Sequence, residues 1–143
     1  MTRMCAIVLI SALTACGEST TELVRGPAVE LSVASGDGQS AQAGAEVPQP
    51  IVVEARRSDG TVHWGTAINV TILSGEGGLT HDGGGVSGNN STISGVGVGR
   101  ANVLWTLGPA GEEQRIRFWT SRGSAIDSLS VEVTATSLPD GGA

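Results

Sequence analysis

Strict alternation of apolar and polar residues recurs along most of the chain and constrains the fold more than any other feature of the sequence. In one example, residues 129–133 read Leu-Ser-Val-Glu-Val. Successive side chains of a β-strand point to opposite faces, so this period of two predicts a strand with one buried face. The segments with this pattern are Ala28–Ala34, Pro50–Arg57, Thr66–Leu73, Arg100–Leu107, Glu113–Thr120 and Ser128–Thr136. No stretch after residue 27 has a convincing helical period, and the sequence therefore predicts an all-β fold.

Glycine separates these segments, and it is abundant at 22 of 143 residues. Ser58–Thr61 and Gly108–Gly111 have the composition of tight turns. Two packed antiparallel sheets bury one-sided strands with the fewest exposed edges. We therefore expect an antiparallel β-sandwich of about seven strands over residues 28–137, with Trp105 and Phe118 in its core and a disordered tail at residues 138–143.

The first residues have the organisation of a secretory signal peptide. Arg3 precedes an apolar run, Met4–Leu13, and small residues follow. This run is about half of the roughly 20 residues that a helix needs to span a bilayer, so a transmembrane helix is not expected. Leu13-Thr14-Ala15-Cys16 resembles the lipobox of bacterial lipoproteins. The resemblance implies acylation of the Cys16 sulfur and cleavage between Ala15 and Cys16, which leaves 143 − 15 = 128 residues.

The predicted organisation is a signal peptide at residues 1–15, a lipidated cysteine with a flexible tether at residues 16–27, and then the sandwich. Cys5 would leave with the signal peptide, so the mature chain would hold neither a disulfide nor a free thiol. Two or three acyl chains anchor a protein stably where one does not. Gly17 stands where an aspartate would signal retention in the inner membrane, and by resemblance to known lipoproteins this favours the outer membrane, at the cell surface or the periplasmic face.

A second resemblance covers residues 28–137. Ser35–Ala41, Ser58–Gly60, Asn69–Ile72, Ser74–Gly78 and Val103–Pro109 occur in an order and spacing that resemble a bacterial immunoglobulin-like group 1 domain, the repeat type of invasin and intimin. The resemblance implies an immunoglobulin-like sandwich that acts as a spacer or presenter without catalytic residues. The chain departs from the family at His63-Trp64 and in the glycine-rich stretch Thr80–Val98.

The charge of the chain excludes several partners. The net charge is −6, and removal of Arg3 with the signal peptide makes it −6 − 1 = −7; all eight basic residues are arginines. Nucleic acid requires a basic patch, and docking on anionic lipid requires clustered basic residues. We therefore expect no nucleic-acid partner and membrane attachment through the lipid on Cys16 alone.

No catalytic constellation is visible. A serine triad requires a histidine base, and the two histidines, His63 and His81, both stand beside turn-like sequence without a Gly-x-Ser-x-Gly elbow. A zinc site requires three or four ligands at matched spacing. The sequence therefore predicts no enzyme, no metal site, no cofactor and no small-molecule substrate.

The glycine-rich segment Gly75–Gly99 leaves two interpretations open. Oxygen ligands for calcium are present in it, namely Glu76, Asp82, Asn89 and Asn90. They lack the spacing of an EF-hand or of a nonapeptide repeat. We favour a long mobile loop that links two strands.

Two tryptophans are candidates for partner binding. Trp119 falls on the outer face beside Arg115 and Arg117, and Trp64 lies in a turn region. An exposed tryptophan near arginines can stack on a glycan or act as a hot spot for a protein, although a loop can equally cover it. The favoured function is a non-enzymatic, lipid-anchored structural or display module of the cell envelope. The alternative is an adhesin-like module that binds a glycan or a protein through Trp64, Trp119 or the glycine-rich segment.

Overall fold

The computed structural model describes residues 27–111, 113–120 and 129–140, and it contains no helix in these ranges. The all-β prediction is confirmed. The strands are β1 (Glu30–Ser35), β2 (Gln39–Gln42), β3 (Ile51–Arg56), β4 (Ala67–Ser74), β5 (Gly78–His81), β6 (Gly84–Ser87), β7 (Thr92–Val98), β8 (Arg100–Thr106), β9 (Glu113–Trp119) and β10 (Ser130–Leu138). The predicted signal peptide, Cys16 and most of the tether lie outside the described residues.

The six alternating segments form β1, β3, β4, β8, β9 and β10, because their apolar positions share a buried face. In β8, Ala101, Val103 and Trp105 are buried while Arg100 and Asn102 are exposed, as the alternation predicts. β10 runs to Leu138, one residue into the predicted tail.

A few positions depart from the predicted alternation. In β3 both faces are covered, since Val52 and Glu54 are buried as well as Ile51, and in β4 the polar Asn69 is buried. Val29 begins the first alternating segment, but its side chain is 51% exposed and it precedes β1. The buried face therefore begins at Leu31, which is 7% exposed.

The strands form a sheet of order β1-β3-β8-β7-β4-β9-β10-β2, with β5 joined to β8 and β6 to β5. All pairings are antiparallel except that of β10 with β2, which is parallel. The sheet curls so that β1-β3-β8 faces β4-β9-β10 across one apolar core, which gives the two layers of a sandwich. The fully buried members with the largest side chains are Trp105, Phe118, Ile51, Ile68, Ile72, Leu79, Leu107 and Ile116.

The described residues contain ten strands where about seven were expected. Four of them, β2, β5, β6 and β7, lie outside the six alternating segments, and the glycine-rich segment supplies three of these four. The expectation that residues 75–99 form one long loop between two strands is wrong. β5 and β6 form a hairpin that is anchored because Leu79 pairs with Trp105 of β8 and is fully buried. β7 contains a bulge at Gly95, whose φ is 67° and whose N–H donates to Asn69 Oδ1 at 2.9 Å.

The strand directions define two ends of the domain. Glu30 pairs with Arg56, and Glu54 pairs with Arg100, so the start of β1, the end of β3 and the start of β8 lie together. We call this the entry end; its described parts are residues 27–29, the connection 57–66 between β3 and β4, the β7–β8 turn at Gly99, the end of β9 with Thr120, and the start of β10 with Leu129. The opposite end is formed by residues 43–46, 75–77, 107–111 and 139–140.

Candidate binding surfaces

Trp64 lies at the tip of a turn, residues 63–66, at the entry end. The Thr66 N–H donates to the His63 carbonyl at 3.3 Å, and Thr66 Oγ1 is 2.8 Å from His63 Nδ1. The turn is fastened to the sheet at both of its ends. The His63 N–H donates to the Ala55 carbonyl at 2.8 Å, and the Gly99 N–H donates to the Thr66 carbonyl at 2.7 Å. These bonds fix the backbone that presents the indole.

Gly99 allows the turn to approach the sheet. Its φ is 74°, and a Cβ at this position would lie 2.7 Å from Trp64 Cα and 2.9 Å from the His63 carbonyl oxygen. Trp64 nevertheless remains 63% exposed as a residue, and the neighbouring Val98 is 55% exposed. The sequence correctly placed Trp64 in a turn, and its role in partner binding stays a prediction.

Trp119 lies on the outer face of β9 and is half-buried. Its indole Nε1–H donates to Thr71 Oγ1 of β4 at 3.0 Å, and the Thr71 hydroxyl also lies 2.8 Å from Thr92 Oγ1. A shallow cleft of about 300 Å³ opens beside the ring and is lined by Thr71, Leu73, Arg117, Trp119 and Ser130. Trp119 is thus partly covered, and Trp64 lies on a different surface. The role of Trp119 in partner binding stays a prediction.

The arginines beside Trp119 are both engaged by Glu132 of β10. Arg117 Nη2 donates to Glu132 Oε1 at 2.7 Å, and Arg115 Nη1 lies 3.8 Å from Oε2. The hydrogen bond from Arg117 holds the pKa of Glu132 below its usual value. Desolvation opposes this less strongly, and the positive charges of Arg117 and Arg115 each add a smaller lowering effect. An anionic ligand in the cleft would therefore compete with Glu132 for Arg117.

The candidate calcium ligands are not brought together. The Glu76 N–H donates to Asn89 Oδ1 at 3.1 Å, and both residues line a cleft with Pro109. Asp82 lies in the turn of the β5–β6 hairpin and lines another cleft, with Pro50 and Leu104. In the described ranges, no three histidine, cysteine or acidic residues are grouped as metal ligands would be.

The two histidines occupy separate turns. His63 Nδ1 is bonded to the Thr66 hydroxyl at the entry end, and His81 Nδ1 accepts from the Gly83 N–H at 3.2 Å in the β5–β6 hairpin. Each imidazole thus supports the backbone next to it.

Charge is divided unequally between the two ends, which sequence reasoning missed because the contributing residues are far apart in the chain. At the entry end the buried Glu54 is contacted by Arg56 and Arg100. The loops of the opposite end contain Glu46, Glu76 and Asp140, and no arginine occurs in residues 43–46, 75–77, 107–111 and 139–140. The opposite end is therefore the acidic one.

Comparison with known proteins shows similarity in fold. No protein-family model matches the chain, so the resemblance to immunoglobulin-like group 1 domains is not confirmed. No curated protein matches it either. Within the described ranges, no helix has the length and apolarity needed to cross a membrane.

Three solved structures have a similar fold. A conjugative transposon lipoprotein from Bacteroides eggerthii aligns with 74% of this chain and 94% of its own, at 16% identity and a TM-score of 0.51. A conjugate transposon protein from Bacteroides vulgatus aligns with 79% of this chain and 87% of its own, at 14% identity and a TM-score of 0.51. The surface layer protein SbsC, domains 1–6, aligns with 82% of this chain but 14% of its own, at 18% identity and a TM-score of 0.55. At these identities the similarity concerns the fold alone.

Proposed function

We propose that this chain is a non-enzymatic lipoprotein of the bacterial cell envelope, which presents one immunoglobulin-like β-sandwich on a lipid anchor at Cys16. The observation that carries the proposal is the lipobox-like Leu13-Thr14-Ala15-Cys16 at the end of an apolar run, followed 30 − 16 = 14 positions later by a domain built of strands from Glu30 onward. Fold similarity to a conjugative transposon lipoprotein and to a surface layer protein supports this role.

The chemistry of the described surfaces also supports a role in structure or display. His63 and His81 are each bonded within a turn. Arg117 and Arg115 are paired with Glu132. In this proposal the domain is attached to a membrane by two or three acyl chains, which is enough for stable anchoring.

Replacement of Cys16 tests the anchor. Cys16→Ala should abolish acylation and leave an uncleaved precursor, because the sulfur is the site of lipid attachment. Mass spectrometry of the amino-terminal peptide and fractionation of cells should show both effects. Cys5→Ala is the matched control and should be processed as the wild type is. A fully processed Cys16→Ala protein that still sediments with membranes would contradict the proposal.

We further propose the outer membrane as the location, at its surface or its periplasmic face, since Gly17 follows Cys16. A tag placed after Ala143 and exposed to protease on intact and on disrupted cells distinguishes the two faces. Loss of the tag on intact cells indicates the surface, and protection until disruption indicates the periplasm. Recovery of the protein in the inner-membrane fraction would overturn the proposed location.

The alternative function is adhesin-like binding of a glycan or a protein. The observation that favours it is the cleft beside Trp119, where a fixed aromatic ring and the guanidinium of Arg117 share one surface. Stacking on an aromatic ring together with hydrogen bonds from an arginine is a combination found at binding hot spots.

A further inference from the structure

Exposed apolar side chains are concentrated at the entry end. The described residues have five large apolar side chains that are exposed, and three of them, Val29, Trp64 and Val98, lie at this end. Single exposed apolar residues are ordinary, but a cluster marks a contact surface. Tryptophan is highly buried on average, so Trp64, which is 63% exposed as a residue, is the most unusual member.

The turn that carries Trp64 is built to hold its backbone in place. Four hydrogen bonds, within the turn or to the sheet, fix the conformation of residues 63–66. Gly99 permits this close approach because it has no side chain to collide with the turn. The indole adds little to the core, because most of its surface is outside. A fixed backbone with an exposed ring is the arrangement expected of a preorganised contact residue.

The tether leaves the domain at this same end. Pro27 lies 27 − 16 = 11 Cα–Cα steps from Cys16, so whatever its conformation this segment spans at most about 40 Å. A lipid on Cys16 therefore leaves Trp64 and its neighbours within reach of the bilayer. A contact between the protein and the membrane can be too weak to recruit an unanchored protein. Once the lipid holds the protein at the membrane, the same contact is intramolecular and can form.

Charge favours the same orientation. The described part of the entry end balances its three carboxylates with three arginines: Glu30, Glu54 and Asp59 against Arg56, Arg57 and Arg100. The described loops of the opposite end carry three carboxylates and no arginine, which leaves that end acidic. Anionic headgroups repel the acidic end more strongly than the compensated one. The entry end is thus the better of the two for contact with a membrane.

We propose that Trp64, with the neighbouring Val98 and with Val29 at the same end of the domain, inserts into the headgroup region of the bilayer that holds the acyl chains of Cys16, and so keeps the domain upright. The inference rests on the proposed lipid anchor. Tryptophan suits this region because its ring is apolar while its indole N–H bonds with water or a headgroup. The contact is apolar, and it adds a second point of attachment to a chain whose net charge, −6 − 1 = −7 after removal of Arg3, disfavours electrostatic docking.

Fluorescence quenching by brominated lipid tests the proposal. The mature chain 16–143 retains every described strand, and Cys16 is its single thiol, so it can be coupled to maleimide lipid in vesicles that contain brominated phosphatidylcholine. Trp64 is one of three tryptophans, so we expect the wild type to lose up to about a third of its emission. Trp64→Phe should reduce this quenching severalfold, and Trp119→Phe, the matched control, should retain it. Trp105 is buried and out of reach.

Two results would overturn the proposal. Absence of quenching in the coupled wild type means that Trp64 stays in water, and undiminished quenching in Trp64→Phe means that another surface meets the lipid. Because coupling supplies the anchor, neither result depends on acylation in the cell, which Cys16→Ala tests separately. Far-ultraviolet circular dichroism and thermal unfolding of Trp64→Phe should match the wild type, since the ring is largely exposed.

Discussion

The indole Nε1–H of Trp119 donates to Oγ1 of Thr71 at 3.0 Å, across the pairing of β9 with β4. The ring is thereby held against the outer face of the sheet, and one wall of the cleft beside Arg117 is fixed before any ligand arrives. A fixed aromatic surface lowers the entropic cost of binding, so this is the surface on which the adhesin-like alternative depends.

Trp119→Ala separates the two proposed functions. If the chain is a structural or display module, the wild type and Trp119→Ala should give the same profile on glycan arrays and on immobilised envelope proteins. Trp64→Ala is the control, because it removes the other candidate tryptophan from a different surface. Specific capture by the wild type that is lost in Trp119→Ala and kept in Trp64→Ala would favour the adhesin-like alternative.

Gly99→Ala should destabilise the domain more than Gly95→Ala. Both glycines have positive φ, 74° and 67°, and an L-residue in this region costs about 1–2 kcal/mol. A Cβ at Gly95 would meet nothing within 4 Å, whereas one at Gly99 would meet the backbone of Trp64 and His63. The free energy of unfolding in urea should therefore fall by about 1 kcal/mol in Gly95→Ala and by more than about 2 kcal/mol in Gly99→Ala. Equal losses of unfolding free energy in the two variants would mean that the turn at residues 63–66 moves to accommodate the new Cβ without cost, and would contradict the prediction.

Alternation in the sequence predicted the strands that bury mainly one face. It failed for the strand with a bulge, β7, and for the short strands β2, β5 and β6. In β7 the inward residues Ile93 and Val96 are three positions apart, because the bulge at Gly95 inserts backbone whose N–H is satisfied by Asn69. β2, β5 and β6 are four residues each, too short for a pattern to be distinguished from chance.

The candidate surfaces were predictable in part. Local composition placed Trp64 in a turn, and alternation placed Trp119 on the outer face. The bond from Trp119 to Thr71 spans 48 positions, and the closeness of Trp64 to Val98 depends on how β3, β7 and β8 pair. Such relationships depend on long-range register, which no local pattern encodes.

Gln114→Leu should be strongly destabilising although the two side chains are similar in size. Gln114 is fully buried, its Oε1 accepts from the buried Gly108 N–H at 2.9 Å, and its Nε2 donates to the Pro109 carbonyl at 3.2 Å. Leucine would leave a buried donor unpaired, which costs about 1–3 kcal/mol. Urea unfolding should show this loss, and faster amide exchange at Gly108 should accompany it. Gln42→Leu, at an exposed position of β2, should change the free energy of unfolding little; a similar loss there would point to a general effect of the substitution.

Acid should weaken the domain partly through Glu132. The hydrogen bond from Arg117 lowers the pKa of Glu132 below its ordinary value of 4.5, so the folded state holds this proton less tightly than the unfolded state does. The stabilisation is therefore fully present above pH 4.5 and is lost as the pH falls through the lowered pKa of the folded state.

Urea unfolding of the wild type and of Glu132→Gln between pH 7 and pH 2 measures this contribution. The difference in the free energy of unfolding should be constant at neutral pH, shrink with acid below pH 4.5, and decrease in high salt because the pair is exposed. Glu46→Gln serves as the control, since Glu46 is an exposed carboxylate without an ion pair to any described residue. If Glu132→Gln and Glu46→Gln have the same dependence on pH, then Arg117 does not stabilise the ionised form of Glu132 in the folded protein.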